Sequence, residues 1–234
     1  HTATLLGAAK ILSERKDFSG TVRFVFQPAE EPGRGSRAMI EDGLFERFPM
    51  DEMYGLHNMP QYPAGTIAVR EGGIQASEDN FIITLKGKGG HASAPEIVKD
   101  PLVTAAEIIC ALQTIVSRNV TPTETAVISC TEIESDGAHN AIPSNVIIRG
   151  DTRSFTPEMS QLIEKRMEAI CKHICEMNGL ECEFTYTHEF APTFNWKDNV
   201  QYVVKAAKAV VGEEHVIENC PTTMGSEDFG HFIQ

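Results

Sequence analysis

Two adjacent carboxylates, Glu30 and Glu31, stand in the run Gln27-Pro28-Ala29-Glu30-Glu31-Pro32-Gly33. Neighbouring acids repel, and the plain explanation is a solvated loop. A bound cation offers another: one carboxylate ligates while its neighbour stays free as general base for a water. Pro28 and Pro32 bracket the pair and stiffen it. His57 follows in Gly55-Leu56-His57-Asn58. A lone His is more often a hydrogen-bonding residue, yet a Glu and a His from neighbouring strand ends suit zinc or manganese. His91 follows Gly87-Lys88-Gly89-Gly90, which lacks Walker spacing, so nucleotide binding is rejected and the glycines serve a tight turn. By type alone His91 is equally a turn residue or a functional one. Asn140 lies in a loop, and Arg153 near the end of the strand after it. A guanidinium fork is the usual partner of a substrate carboxylate, with a surface Arg on an edge strand as the plain alternative. In Met224-Gly225-Ser226-Glu227-Asp228-Phe229, the Ser-Glu-Asp run reads first as the cap of a helix beginning at Phe229.

The elements that must position these groups follow from periodicity. Leu5, Leu6, Ala9 and Leu12 predict a helix over about 2–14. Thr21–Phe26 and Asp51–His57 read as two short buried strands, with a helix over about 36–42 between them. Strand, loop, helix, strand is the rhythm of an α/β sheet, whose ligand groups gather at the carboxyl ends of strands; Glu30, Glu31 and His57 fall there. The pattern changes near Gly72. Strands are predicted at Phe81–Leu85, Thr125–Ile133, Asn145–Ser154 and Glu183–Thr187. Long helices fall at Pro101–Arg118 and Pro157–Asn178, each with Pro in its first turn, and Gly179 stops the second. This β-α-β-β-α-β order is a ferredoxin-like unit, set into the α/β domain. A helix over about 199–211 returns the chain to the first domain.

Composition narrows the partners. Lys and Arg total 20 against 33 Asp and Glu, a formal charge of −13, which argues against nucleic acid. No apolar run reaches the ~20 residues needed to span a bilayer, so no membrane partner is expected. The six cysteines form no CxxC pair. Cys171 and Cys175, at i and i+4 on a helix, read better as core thiols than as metal ligands, and a reducing, cytoplasmic compartment fits. His1 opens inside a helix without a cap, and Phe229–Gln234 stops on apolar residues, so the chain reads as a piece of a longer protein.

Taken in order, Gln27-Pro28-Ala29-Glu30-Glu31, Gly55-Leu56-His57-Asn58, Gly87-Lys88-Gly89-Gly90-His91-Ala92, Asn140-Ala141-Ile142-Pro143 and Met224-Gly225-Ser226-Glu227-Asp228-Phe229 closely resemble one family. It is the dinuclear-metal amidohydrolase and aminoacylase group that includes hippurate hydrolase and the N-acyl-amino-acid deacylases. The resemblance implies an α/β fold: a zinc-peptidase-like, mixed-sheet catalytic domain over 1–74 and 191–234, with an inserted ferredoxin-like α+β dimerisation or lid domain over 75–190. It implies Glu30 as general base, Glu31 and His57 as metal ligands, and His91, Asn140 and Arg153 as substrate contacts. It further implies two divalent ions, manganese or zinc, with cobalt or nickel as alternatives. Of the five protein ligands in the family site, only two would lie in this chain. His1 resembles the non-ligating last His of a Cys-Gly-His-Asp-x-His stretch, and the final His would lie beyond Gln234.

The activity implied is hydrolysis of N-acyl-amino acids by a cytoplasmic homodimer joined through the inserted domain. A metallo-exopeptidase or dipeptidase is the rival enzyme, and a non-catalytic binding or dimerisation protein the rival from another class. One departure stands out. Many relatives carry a His five residues after the lid His, where this chain has Glu96. An ionised Glu cannot donate a hydrogen bond, so an oxyanion contact there would have to be made differently.

Overall fold

The structure, a computed structural model, describes residues 1–233; Gln234, the last residue of the expected third segment, lies outside them. The fold is mixed α/β. The elements are α1 (Thr2–Arg15), α2 (Gly35–Glu41), α3 (Leu44–Arg47), β1 (Ile67–Ala68), β2 (Gly72–Gln75), β3 (Glu78–Lys86), β4 (Gly90–His91), α4 (Pro101–Arg118) and β5 (Ala126–Ser135). They continue with β6 (Ala141–Ile142), β7 (Asn145–Ser154), α5 (Pro157–Asn178), β8 (Glu181–Phe190), β9 (Thr193–Asn195), α6 (Lys197–Val211) and β10 (Val216–Ile217).

The largest layer is an antiparallel sheet in the order β5-β7-β3-β8, with α4 and α5 packed on one face. This is the ferredoxin-like arrangement. Strand alternation aims Phe81, Ile83 and Leu85 of β3 and Val146 and Ile148 of β7 into the core, while Ile82 remains 42% exposed on the other face. The helices answer with Ile108, Leu112 and Ile115 of α4 and Ile163, Met167 and Cys171 of α5, all fully buried. Cys171 and Cys175 are therefore core residues, and all six cysteines are free thiols. α4 is the one described helix long and apolar enough to pass for a membrane span, but its apolar stripe faces the sheet.

Local chemistry sets the ends of these helices. The Asp100 carboxylate accepts from the Leu102 and Val103 N–H groups before Pro101 opens α4. The Thr156 hydroxyl accepts from Met159 N–H, and Gly179, at φ 68°, closes α5 in the left-handed region that a side chain resists.

Around this layer lie short ladders joining distant segments. β1 pairs with β10 in parallel, β2 with β9 antiparallel, and β4 with β6 antiparallel. The expected strands at Thr21–Phe26 and Asp51–His57 do not form. Among the described residues neither segment has a ladder partner, and Val22, Phe26, Tyr54 and Leu56 are 46, 46, 50 and 61% exposed. β-propensity favours an extended backbone, but only a hydrogen-bonded neighbour completes a strand. The helix α1 forms as expected, yet it buries none of its residues.

Candidate active site

The loop after Thr21–Phe26 is a tight turn that presents Glu30. Gly33 N–H donates to Glu30 O at 2.7 Å and Gly35 N–H to Ala29 O at 3.1 Å. Ala29 sits at φ 49°, in the left-handed region. A Cβ on Gly35 would stand 1.6 Å from Pro28 O, so the two limbs of the turn touch backbone to backbone.

Three carboxylates converge at this turn. Glu30, Glu227 and Asp228 each place an oxygen within 4.8 Å of the other two. Burial first, then the charges of Glu227 and Asp228, pushes the Glu30 carboxyl up to about 7. Burial also raises Glu227, with the His57 imidazole opposing. His57 Nε2 lies 3.6 Å from Glu227 Oε2, and its Nδ1 lies 2.9 Å from Asn58 O, which holds the ring. His1 stacks edge-on against it with centroids 4.6 Å apart, and His1 Nε2 accepts from Asn58 N–H at 3.0 Å. Converging carboxylate oxygens and an imidazole nitrogen are the donor set of a divalent cation, and such a cation would relieve the repulsion that raises Glu30. The donors at this turn are of the type a divalent metal takes, as the resemblance implies, with Glu31 beside the cluster and not within it.

The structure brings Glu30 and His57 to one place. Glu31 is exposed and supplies no oxygen to the three-carboxylate cluster, although its charge also raises Glu30. Glu227 and Asp228 were the residues that sequence reasoning undervalued. Asp228 begins a 3-10 turn, Asp228–Ile233, but its carboxylate does not cap it. Its oxygens accept instead from Gln27 Nε2 and, at 3.0 Å, from Ser36 N–H. The signal available was the Glu-Asp pair itself, whose partners lie about two hundred residues earlier in the chain.

The expected substrate contacts fall in two groups. His91 and Asn140 meet across the short β4–β6 ladder, where Ala92 N–H donates to Asn140 O at 3.0 Å. Both side chains are exposed, and His91 Nδ1 lies 2.8 Å from Ser93 Oγ. Arg153 stands elsewhere. Its guanidinium pairs with Asp151 at 2.6 Å and Glu78 at 2.9 Å, and reaches Ser226 Oγ at 3.3 Å and Met224 O at 3.4 Å. It thus ties β7 to the segment that carries Glu227 and Asp228. A second constellation imitates a catalytic triad and is not one. Ser160 Oγ and Asp79 Oδ1 both lie 3.1 Å from the same nitrogen, Nδ1 of His188, while the Ser160 hydroxyl donates to Asp79 Oδ2 at 2.8 Å. The hydroxyl is committed to Asp79, so the imidazole is not placed to activate it.

Residues 1–234 match the model of peptidase family M20/M25/M40. The chain belongs to that family. It is 40% identical over 234 residues to a hippurate hydrolase of Campylobacter jejuni, covering all of this chain and 61% of that protein. It is 35% identical over 237 residues to thermostable carboxypeptidase 1 of Saccharolobus solfataricus, covering all of this chain and 59% of that protein. A dinuclear metal binding peptidase of the M20 family from Bacillus subtilis superposes with a TM-score of 0.82 at 31% identity, over 99% of this chain and 58% of that one. The chain thus spans about 60% of the length of the curated relatives it matches.

Proposed function

We propose that the full-length protein is a metal-dependent amidohydrolase that cleaves N-acyl-amino acids to a carboxylic acid and a free amino acid. The observation that carries this reading is the convergence of Glu30, Glu227 and Asp228 beside His57, in a chain 40% identical to a hippurate hydrolase. Glu31 and His57 hold the metal in this reading, with manganese or zinc as the ions. When bound, two divalent ions supply Lewis-acid polarisation of the amide carbonyl and acidify a water. Glu30 takes the proton of that water and delivers it to the leaving amine. His91, in the β4–β6 ladder, and Asn140, just before it, contact the substrate's carboxylate or oxyanion. Arg153 contributes as well, although any substrate carboxylate must share its fork with Glu78 and Asp151.

The four-stranded sheet with α4 and α5, within residues 75–190, is the lid and dimerisation domain in this reading. Residues 1–74 and 191–234 belong to the catalytic domain. The six free thiols support a reducing, cytoplasmic setting, and the formal charge of −13 speaks against a nucleic-acid partner. A second reading, a carboxypeptidase, is favoured by the relative of that name at 35% identity. The test is hydrolysis of a panel of N-acetyl- and N-benzoyl-amino acids and dipeptides by the full-length protein, with and without manganese or zinc, beside Glu30→Gln. Metal-dependent hydrolysis of the acylated amino acids that falls by about 10²–10⁴-fold in the variant is the expected result. Turnover of dipeptides alone would select the second reading, and no turnover of either class would leave a binding protein.

A further inference from the structure

Asp228 is fully buried, and a buried carboxylate persists only where hydrogen bonds replace its water. Its two oxygens accept from different places: one from the side-chain amide of Gln27, the other from Ser36 N–H at 3.0 Å. Gln27 and Ser36 are the two ends of the turn that carries Glu30 and Glu31. Between them the chain doubles back through a left-handed Ala29 and a Gly35 pressed against Pro28 O. Such a turn is not a relaxed shape: the Phe190 ring packs against it at Gly33, and its two ends are held by Asp228. We propose that Asp228 is a positioning residue: its buried carboxylate staples both ends of the Gln27–Ser36 turn and so fixes where Glu30 stands. This rests on the reading of Glu30 as general base.

Each oxygen of Asp228 accepts from one end of the turn, so the carboxylate is committed to holding it, and the metal content of the Asp228 variants tests whether it also ligates. The same residue is joined by one peptide bond to Glu227, whose carboxylate lies 3.6 Å from His57 Nε2. A single backbone segment therefore sets the base on one side and meets the imidazole on the other. Displacing a base by about 1 Å is enough to lose about 100-fold in rate.

A swap of partners tests the staple in the full-length protein. In Asp228→Asn the amide oxygen still accepts from Ser36 N–H, and the amide nitrogen donates to Gln27 once the Gln27 amide turns over. Gln27→Glu sets two carboxylates face to face. Gln27→Glu combined with Asp228→Asn restores one donor and one acceptor. Four readouts are taken: kcat, KM, bound manganese per chain, and hydrogen exchange of the 29–35 amides.

Asp228→Ala and Gln27→Glu are expected to lower kcat by about 100-fold. KM and bound manganese should stay within about threefold, and the 29–35 amides should lose protection. Asp228→Asn and the double variant are expected to return kcat to within about tenfold of the parent, with protection recovered. The proposal fails if Asp228→Ala or Asp228→Asn loses its bound manganese, because Asp228 would then act as a ligand. It fails equally if Gln27→Glu leaves the turn protected, or if the double variant is no better than Gln27→Glu. Should Asp228→Ala not fold, the swap pair decides alone. Should the parent protein hydrolyse no acylated amino acid, the functional reading fails, and the exchange of the 29–35 amides still decides whether the staple exists.

Discussion

Replacing Arg153 by Met separates two roles that the guanidinium could play. In the structure it is pinned between Asp151 at 2.6 Å and Glu78 at 2.9 Å, with side chains 21, 26 and 25% exposed in the order Arg153, Asp151, Glu78. At an effective dielectric of about 20, each such contact attracts by roughly 6 kcal/mol. Desolvation of three charges and the mutual repulsion of the two carboxylates offset most of this. Removing the cation also leaves two partly buried anions facing each other. Pairs on the surface contribute about 0–1 kcal/mol, and breaking a buried pair costs about 3–5 kcal/mol. The intermediate exposure here places the loss at about 2–3 kcal/mol. For a protein of this size class that lowers Tm by roughly 5–10 °C. Thermal unfolding of Arg153→Met beside Glu78→Gln and the double variant is the assay, with a coupling energy of about 1 kcal/mol or more expected between the two sites. A Tm within about 1 °C of the parent, with only KM raised, would refute the reasoning and leave Arg153 as a free fork for substrate.

Two further expectations follow from the fold. Gly150→Ala drives a Cβ to 2.0 Å from Ser129 O and 2.5 Å from the buried Phe81 ring. It should destabilise by at least about 1–3 kcal/mol in urea unfolding, and a neutral result would mean that the β5–β7 pairing yields easily there. Burial first, then the nearby Arg37 charge, holds the His231 imidazole below its usual value of 6.5. The folded state therefore prefers the neutral ring. The stability it contributes is complete above pH 6.5 and is lost as pH falls through the depressed folded value. In His231→Gln the acid-side decline of Tm below about pH 6.5 should flatten, and parallel declines in the two proteins would rule the imidazole out as its source.

What the sequence determined alone was whatever is encoded within a few residues. The limits of α4 and α5 were legible because Asp100-Pro101, Thr156-Pro157 and Gly179 act on their own helix ends. The alternation of Phe81, Ile83 and Leu85 marked β3 because burial of one sheet face is written in every second residue. Glu30 and His57 were singled out by the order of the short motifs that carry them, each of which is written within a few residues.

Tertiary structure alone decided the rest. Thr21–Phe26 and Asp51–His57 carry the propensity of strands and have no ladder partner among the described residues, since a strand is completed by its neighbour and not by itself. The β1–β10 and β2–β9 ladders are two to four residues long and join segments well over a hundred residues apart, too short to show a period and too distant to announce a partner. Arg153, an apparent free fork in the sequence, is paired by Glu78, which lies 75 positions earlier on the neighbouring strand β3. Asp228 presented itself as a helix cap and became the partner of Gln27 and Ser36, because a carboxylate's role is set by the donors that folding brings to it, and those donors lie 201 and 192 positions away.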